Sequence, residues 1–394
     1  MTPDLTTRAD VGAAEVEERV RELVLRVDPR KVPLPEFLGA QFDAGLAFVD
    51  HPVGHGGLGT AKSFQTIVDR ELREAGAKSA LGANPLAVGL GIPTLRKHGS
   101  QGQWSRYFRR AFVGDDIWCQ LFSEPSAGSD LASLGTRAVR EDGHWVINGQ
   151  KVWTSLAHVA SVGMLLARTD PGLPKHQGIT YFLVDLHAPG IEIRPLVQMT
   201  GEAEFNEVFL TDVVVSDEDR VGPQGSGWSV AKTTLSSERL IHSGEGAGSG
   251  SVGGSRVDKL IASTGGASGP QRDELVRRFA EGRVIRWTNG RAAAARRLGR
   301  PGPDPTLTKL MQTAYNRRLQ ETAITVRSTR AVAWRADDTE TPQLVRGFLR
   351  AQANTIEGGT SDVLRSIIGE RVLGLPREPS LPKDLPWSET PRNL

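Results

Sequence analysis

Two short segments of this chain combine small residues, hydroxyl groups and one large aromatic ring. The first is Gln120-Leu-Phe-Ser-Glu-Pro-Ser-Ala-Gly-Ser-Asp130, and the second, further along the chain, is Asn148-Gly-Gln-Lys-Val-Trp-Thr-Ser155. Small residues let a backbone approach a large polar ligand closely, and hydroxyls can both donate and accept hydrogen bonds. A Trp at a strand end offers a face for a planar ring. Together the segments predict a site for a large polar ligand with a planar part.

Three more segments follow in the second half of the chain. They are Met199-Thr-Gly-Glu-Ala-Glu-Phe-Asn-Glu-Val-Phe-Leu210, Leu235-Ser-Ser-Glu-Arg239 and Ile356-Glu-Gly-Gly-Thr-Ser-Asp362. In order and spacing, all five segments resemble those of the acyl-CoA dehydrogenase family. The resemblance covers residues 14–378. One Gly- and Ser-rich loop would be common, but five segments in register are not expected by chance.

The resemblance implies FAD as the cofactor. Ser123 would bond the pyrimidine edge of the flavin, and Ser129 would reach the pyrophosphate. Trp153 would lie against the isoalloxazine ring, with Ser155 donating near N5. Taken singly, such serines more often cap turns and such a Trp more often fills a core. Because all five segments occur in the order and spacing of the family, the cofactor site is favoured over these structural roles.

The C-terminal segment carries further candidates. Thr360, Ser361 and Asp362 match the family segment that closes over the dinucleotide, which makes them second-rank candidates for cofactor contacts. Medium-chain members place their catalytic Glu in this segment, but here Gly358 occupies that position and Glu357 precedes it on a different trajectory. The backbone N–H of Gly358, followed by Gly359, could still donate to a thioester carbonyl.

Long-chain and isovaleryl-type members instead supply the base from a helix, in a Leu-x-x-Glu-Arg segment. The resemblance therefore assigns the base to Glu238, with Arg239 beside it. The alternative is a solvated helix carboxylate paired with a nearby Arg, the usual fate of a helical Glu. Glu245 falls roughly on the same helix face but has no family match. The predicted substrate-binding residues are Ser129, Arg239, Gly358 and Gly359.

The family resemblance also implies a reaction. A carboxylate removes the α-proton of an acyl-CoA thioester, whose carbonyl is polarised by hydrogen bonds that strengthen as enolate charge develops. The β-hydrogen passes as hydride to flavin N5, giving a trans-2-enoyl thioester, and electrons go on to an electron-transfer flavoprotein. A homotetramer and a place in fatty acid or lipid metabolism are implied too. Two alternatives are other flavin chemistry, as an oxidase or monooxygenase, and a non-catalytic or partner-dependent subunit of a mixed tetramer with a related chain.

Two regions depart from the family pattern. Many members carry a Gln-x-x-Gly-Gly-x-Gly segment and an Arg that reaches the neighbouring subunit's FAD, but residues 329–338 have no such glycines. The AMP end of FAD is therefore expected to be held differently or more weakly. Residues 243–254 are so rich in Gly that a helix there is weakened, since each Gly costs ~1 kcal/mol relative to Ala. A flexible loop is the simpler interpretation, and a groove thinned for branched, long or bulky acyl chains is the functional one.

Composition excludes several classes of protein. The 48 Lys and Arg residues nearly balance the 46 Asp and Glu residues, so the net charge of +2 recruits neither nucleic acid nor an anionic membrane. The single Cys119 forbids an internal disulfide, and no secretory signal pattern or membrane-length apolar run is present. The histidines show no metal-ligand spacing. The sequence predicts a cytoplasmic protein without nucleic acid, membrane or metal.

Hydrophobic periodicity divides the chain. Val16, Val20 and Leu23 recur at helical spacing, whereas β-rich runs follow a turn at Asp142-Gly143, and helical patterning returns from Trp228. The order predicts an α+β fold, and the resemblance names it as acyl-CoA dehydrogenase-like, with a central β-barrel or sandwich and a four-helix bundle. The predicted domains are an N-terminal helical domain over residues 1–116, a central β domain over 117–227, a C-terminal helical bundle over 228–378 and an irregular tail over 379–394.

Overall fold

A computed structural model describes most of the chain. The described residues are 11–242, 257–263, 269–300, 302, 304–333, 335, 337–338, 340–377, 379, 382 and 384–391. They form two compact units. The first comprises Met1–Leu196, Glu204–Thr234 and Pro382–Leu394, and the second comprises Val197–Ala203 and Leu235–Leu381.

The first unit begins with helices. α1 buries Val16, Val20 and Leu23 on one face, as the helical spacing predicts. The last of these helices starts at a capping box in which Ser100 and Gln103 satisfy each other's backbone N–H groups, and it ends at Gly114 in the left-handed conformation, φ 90°. The helices are α1 (Ala13–Arg26), α2 (Leu34–Asp43), α3 (Gln65–Glu74), α4 (Ala80–Ala83), α5 (Ile92–His98) and α6 (Gln101–Val113).

An eight-stranded sheet completes the first unit. Its order is β6-β7-β3-β2-β4-β5-β8, and β1 pairs in parallel with β4. Asp142 and Gly143 both have positive φ, 43° and 85°, so they form the predicted tight turn between β2 and β3. The alternating residues Trp145 and Ile147 point into the apolar core. The strands are β1 (Trp118–Leu121), β2 (Arg137–Glu141), β3 (His144–Ser155), β4 (Val162–Arg168), β5 (Ile179–Asp185), β6 (Ile191–Leu196), β7 (Phe205–Ser216) and β8 (Arg220–Val221).

The second unit is helical. Its core contains Leu260, Leu275, Leu319, Ala323 and Leu344. Within the predicted C-terminal helical bundle, a turn separates the last two helices, and the Gly-rich segment at 243–254, with Glu245, lies outside the described residues. The helices are α7 (Gly227–His242), which starts in the first unit, α8 (Val257–Ser263), α9 (Gly269–Arg297), α10 (Asp304–Arg327), α11 (Glu340–Ala351) and α12 (Ser361–Arg371).

These elements confirm the predicted α+β class, with helices before and after one mixed sheet. Within the described ranges, no helix combines the length and the apolar character that crossing a bilayer requires. Among the described residues of the Pro-rich tail, Trp387–Glu389 forms a short turn that belongs to the first unit and buries Trp387.

Candidate active site

The structure brings together the two hydroxyl-rich segments, residues 120–130 and 148–155. The backbone N–H of Val152, in the second segment, donates to the carbonyl oxygen of Ser123, in the first, at 2.9 Å. Ser123 and Ser155 are half-buried and Ser129 is exposed. The hydroxyls predicted to hold FAD therefore belong to two adjacent stretches of backbone in the sheet unit.

Trp153 sits on an irregularity of β3. The register of β3 on β7 shifts between Lys151 and Thr154, and Trp153 has φ 61°, a left-handed conformation that is rare for a bulky residue. Trp153 is 61% exposed, and its ring makes an edge contact with Phe205, with ring centroids 6.0 Å apart. Trp153 therefore does not fill a core. A strained backbone that holds a large apolar ring in solvent fits a platform for a planar ligand.

A buried ion pair locks the two segments. Lys151 Nζ lies 2.8 Å from Glu124 Oε1, and the Lys151 side chain is fully buried. The Glu124 carboxylate also accepts the N–H groups of Gly135 at 2.6 Å and Thr136 at 2.9 Å. Burial alone would raise the pKa of Glu124, but the Lys151 charge and these hydrogen bonds lower it. The carboxylate is thus charged and ties the start of the loop that carries Ser129 to its end at Gly135 and Thr136.

This ion pair was missed by the sequence analysis. A signal was present, because the first hydroxyl-rich segment contains the acids Glu124 and Asp130 and the second contains a single base, Lys151. Charged residues are almost never fully buried unless they are paired. An acid and a base in two segments predicted to share one site could therefore have been expected to pair.

The loop that follows Ser129 is held by polar contacts of its own. Both carboxylate oxygens of Asp130 accept from Lys175 Nζ, at 2.8 and 2.7 Å, and one also accepts from Ser133 Oγ at 2.5 Å. Burial raises the pKa of Asp130, and the bonds from Lys175 and Ser133 more than offset it, so the pKa is lowered. The exposed Ser129 hydroxyl is thus carried by an anchored loop.

In the second unit, the C-terminal segment forms a glycine turn before α12. Gly358 has φ 61° and Gly359 has φ 95°, both in the left-handed region that favours glycine. Thr360 caps α12, its hydroxyl accepting from the backbone N–H of Val363 at 3.1 Å. Asp362 is exposed and pairs with a neighbouring Arg on the same helix. Thr360 and Asp362 thus have local roles, and their predicted contacts with FAD stay predictions.

Glu357 is held by neutral and cationic donors. Its Oε2 accepts from Arg350 Nη2 at 2.9 Å, and its Oε1 accepts from Asn354 Nδ2. Burial raises the pKa of Glu357, but the hydrogen bond and charge of Arg350 and the bond from Asn354 outweigh it, so its pKa lies below its ordinary value. A carboxylate stabilised in this way is a weak base.

Lys309 is a buried cation whose charge interacts with two carboxylates. Its Nζ donates to the carbonyl oxygen of Asn354 at 2.7 Å and to Thr313 Oγ1 at 2.9 Å. Burial lowers the pKa of Lys309, while the charges of Glu357 and Glu238 act in the opposite direction. Glu238 is therefore close enough to Lys309 to feel its charge. Glu238 is half-buried on α7, which is not the position of a fully solvated helix carboxylate, and the side chain of Arg239 lies outside the described part of the structure.

Lys309 belongs to a buried polar stripe that the sequence analysis also missed. Its members lie four, three and four residues apart along α10 and so share one face of the helix. The side-chain amide of Asn316 donates to Asn354 at 2.6 Å, which continues the network toward Glu357. Helical spacing of polar residues was the available signal. The stripe consists of Lys309, Thr313, Asn316 and Gln320.

Comparison with known proteins agrees with the expected family. Residues 119–213 match the family model for the acyl-CoA dehydrogenase middle domain, and residues 225–373 match the model for the C-terminal domain. The chain is 38% identical over 339 residues to acyl-CoA dehydrogenase IpdE1 of Mycobacterium tuberculosis, covering 85% of this chain and 86% of IpdE1. The chain belongs to the acyl-CoA dehydrogenase family.

Two other members extend the comparison. Acyl-CoA dehydrogenase FadE34 of Mycobacterium tuberculosis is 40% identical over 379 residues, covering 94% of this chain but only 50% of FadE34, so the chain spans about half the length of that relative. The solved structure named Tcur3481-Tcur3483 steroid ACAD is 27% identical with a TM-score of 0.73, covering 95% of this chain and all of that one. Acyl-CoA dehydrogenase membership confirms the predicted fold, the oxidoreductase class and FAD as the cofactor.

The residues on the first unit fit such a cofactor. The exposed ring of Trp153 can cover a planar ring system, and the accessible hydroxyls of Ser123, Ser129 and Ser155 can serve the polar parts of a flavin dinucleotide. Among the described residues, no group of three His, Cys, Asp or Glu side chains is arranged to hold a metal ion.

Removing the Trp153 ring should weaken FAD binding. Stacking of an aromatic side chain on a planar base is worth about 1–3 kcal/mol, so Trp153→Ala should raise the Kd for FAD roughly tenfold. Titration of the apoprotein with FAD measures the change. Trp153→Phe keeps an aromatic face, so its Kd for FAD should lie between the values of the wild type and the Ala variant. An Ala variant with wild-type affinity and flavin spectrum would remove Trp153 from the site.

Proposed function

We propose that the chain is an FAD-dependent dehydrogenase of acyl-CoA thioesters that introduces a trans double bond between the α and β carbons. The proposal rests mainly on one observation. The two hydroxyl-rich segments, residues 120–130 and 148–155 and below called the flavin-type segments, are joined beside an exposed and strained Trp153. When bound, FAD supplies the acceptor for the β-hydrogen as hydride and passes both electrons to an electron-transfer flavoprotein. The remaining chemistry falls to side chains and backbone of the chain itself.

Glu238 is the proposed base that takes the α-proton. It is half-buried on α7, and its charge interacts with the Lys309 ammonium. The competing candidate, Glu357, has both carboxylate oxygens occupied by Arg350 and Asn354. Proton transfer to Glu357 would weaken these bonds, because they stabilise its ionised form. These bonds weaken the case for Glu357, and the family match of Leu235–Arg239 supports Glu238 as the base.

The glycine turn is the proposed donor to the thioester carbonyl. A backbone N–H at Gly358 needs no side chain, and the left-handed conformation of Gly358 and Gly359 would be strained in other residues. The Glu357 network immediately before the turn fixes its starting point. Under this proposal Glu357 positions the donor and does not act as the base.

We propose that the substrate carries a bulky acyl group. The absence of a Glu at position 358 and the Gly-rich segment at 243–254 motivated this expectation, and one similar structure is named a steroid ACAD. We propose an acyl-CoA whose acyl group is branched, long or alicyclic, with a steroid side chain as the largest case. Arg239 and Ser129 remain proposed contacts of this thioester.

An anaerobic panel of acyl-CoA thioesters tests the proposal. The FAD-loaded protein is mixed with straight short, straight long, branched and steroid-derived thioesters, and absorbance of the flavin is followed. Bleaching with formation of the 2-enoyl thioester, fastest for a bulky member, is the expected result. Reoxidation by electron-transfer flavoprotein but not by O2 separates a dehydrogenase from an oxidase. Preference for butyryl-CoA over every bulky thioester would overturn the substrate class.

A second candidate is a subunit of a mixed assembly with a related chain. Helix α9 presents large apolar side chains that are 45–68% exposed and lie on one helix face, as an interaction surface would. The residues are Val276, Phe279, Val284 and Trp287.

Light scattering after expression of the chain alone separates the two assemblies. A homotetramer has about four times the chain mass of 42.6 kDa and binds FAD by itself. A smaller, flavin-free species that binds FAD only after addition of a related acyl-CoA dehydrogenase chain would support the mixed assembly instead.

A further inference from the structure

The C-terminal tail is attached to the loop that carries Ser129. Trp387 is 9% exposed although it lies in a Pro-rich segment, and its backbone N–H donates to the carbonyl oxygen of Leu173 at 2.9 Å. The indole Nε1 donates to the carbonyl oxygen of Ser133 at 3.2 Å. A residue near the end of the chain thus contacts the stretch that follows the first flavin-type segment.

Arg168 joins the tail and the loop. Its guanidinium lies 4.7 Å from the centroid of the Trp387 ring, a cation–π distance, and is almost fully buried. The same guanidinium donates to the carbonyl oxygens of Ala132 at 2.6 Å and Leu134 at 3.2 Å. It also donates to the carbonyl oxygen of Lys175 at 2.7 Å. Three stretches of the chain, residues 132–134, residues 168–175 and the tail, therefore meet at one buried cation.

These contacts hold the loop that carries Ser129, residues 129–136, at two points. At one side, Glu124 fixes the N–H groups of Gly135 and Thr136. At the other, Lys175 is held by Arg168 through its carbonyl and itself holds Asp130, the neighbour of Ser129, through its ammonium. A shift of Arg168 would therefore pass to Ser129 through two short polar links. Trp387 covers Arg168 and is the part of this assembly contributed by the tail.

We propose that Trp387 and the tail segment 384–391 are positioning elements of the FAD site that hold the pyrophosphate-binding loop in place. The inference rests on the proposed placement of FAD at Ser129 and is independent of Glu238. Residues 329–338 lack the glycines that many family members carry, so the AMP end of FAD is expected to be held more weakly. FAD binding then depends more on the loop at the pyrophosphate, which the tail supports.

FAD titration of apoprotein variants tests the role of Trp387. Trp387→Phe and Trp387→Ala should raise the Kd for FAD, the Ala variant by about tenfold, as loss of a residue supporting a ligand-binding group typically does. Riboflavin lacks the pyrophosphate and AMP, so its affinity should stay within about twofold of wild type. The ratio of the two affinities reports on the loop, whereas a general loss of stability would not change it selectively.

Trp104 offers a matched control in the same unit. It is 7% exposed, its Nε1 donates to the carbonyl oxygen of Leu95 at 2.7 Å, and the guanidinium of Arg96 lies 5.2 Å from its ring centroid. Trp104→Phe should therefore lower the thermal midpoint of the apoprotein about as much as Trp387→Phe while leaving FAD affinity unchanged.

Two results would overturn the inference. One is a Trp387→Phe variant that folds and binds FAD within about twofold of wild type. The other is an equal weakening of FAD binding by Trp104→Phe and Trp387→Phe, which would show that both act through stability. Failure of wild-type apoprotein to bind FAD would instead count against the proposed cofactor site. If Trp387→Ala does not fold, the comparison of the two Phe variants decides.

Discussion

Glu238→Gln should leave FAD bound and slow its reduction by an acyl-CoA by at least ~10²-fold, the lower end for loss of a general base. The amide has nearly the size and shape of the carboxylate but cannot accept the α-proton. Stopped-flow bleaching of the flavin under anaerobic conditions measures the rate, and ligand-induced changes in the flavin spectrum confirm that the thioester still binds.

Glu357→Gln is the control for that experiment. Because Glu357 is bonded to Arg350 and Asn354, its replacement should disturb the glycine turn and lower the affinity for the thioester more than the rate of flavin reduction at saturation. A Glu238→Gln protein that reduces its flavin at the wild-type rate would refute the assignment. So would a Glu357→Gln protein that binds substrate normally but is inactive.

Of the single changes that we consider in the first unit, Lys151→Met should lower the free energy of unfolding most. Removing one partner of a buried ion pair leaves the other charge uncompensated, which costs about 3–5 kcal/mol. Glu124 would keep its two backbone donors but lose the only counter-charge within bonding distance among its described contacts. Urea unfolding of the apoprotein measures the loss, and FAD content should fall with it because both flavin-type segments meet at this pair.

Lys175→Met provides the matched comparison. It breaks the ion pair with Asp130, but Lys175 is 31% and Asp130 57% exposed, so the cost should be within about 1 kcal/mol. The double variant Lys151→Met, Glu124→Gln should regain part of the lost stability because no buried charge remains. Equal effects of the two Lys variants would show that the buried pair has no special role.

Local signals allowed several elements to be predicted from the sequence. The buried face of α1 follows from apolar residues at helical spacing, and the β2–β3 turn follows from Asp142-Gly143, where both residues adopt positive φ. The two flavin-type segments could be paired because they occur together in one family. Their adjacency is now visible in the Val152–Ser123 hydrogen bond.

Other features could not be predicted because they depend on partners distant in sequence. The left-handed conformation of Trp153 arises where β3 loses register with β7, and no local preference of Trp indicates it. The tail was expected to be irregular because of its prolines, and proline content says nothing of the Arg168 guanidinium against which Trp387 packs. Contacts of this kind require the tertiary structure.

The most direct test of the proposed function is the isotope dependence of flavin bleaching in a single turnover. The FAD-loaded protein is mixed anaerobically with a saturating amount of its best acyl-CoA, either unlabelled, deuterated at the α carbon or deuterated at the β carbon. If Glu238 removes the α-proton and the β-hydrogen leaves as hydride, both labels should slow bleaching, and the product should lack one hydrogen from each carbon. Bleaching that neither label slows, or no bleaching by any thioester, would contradict the proposal.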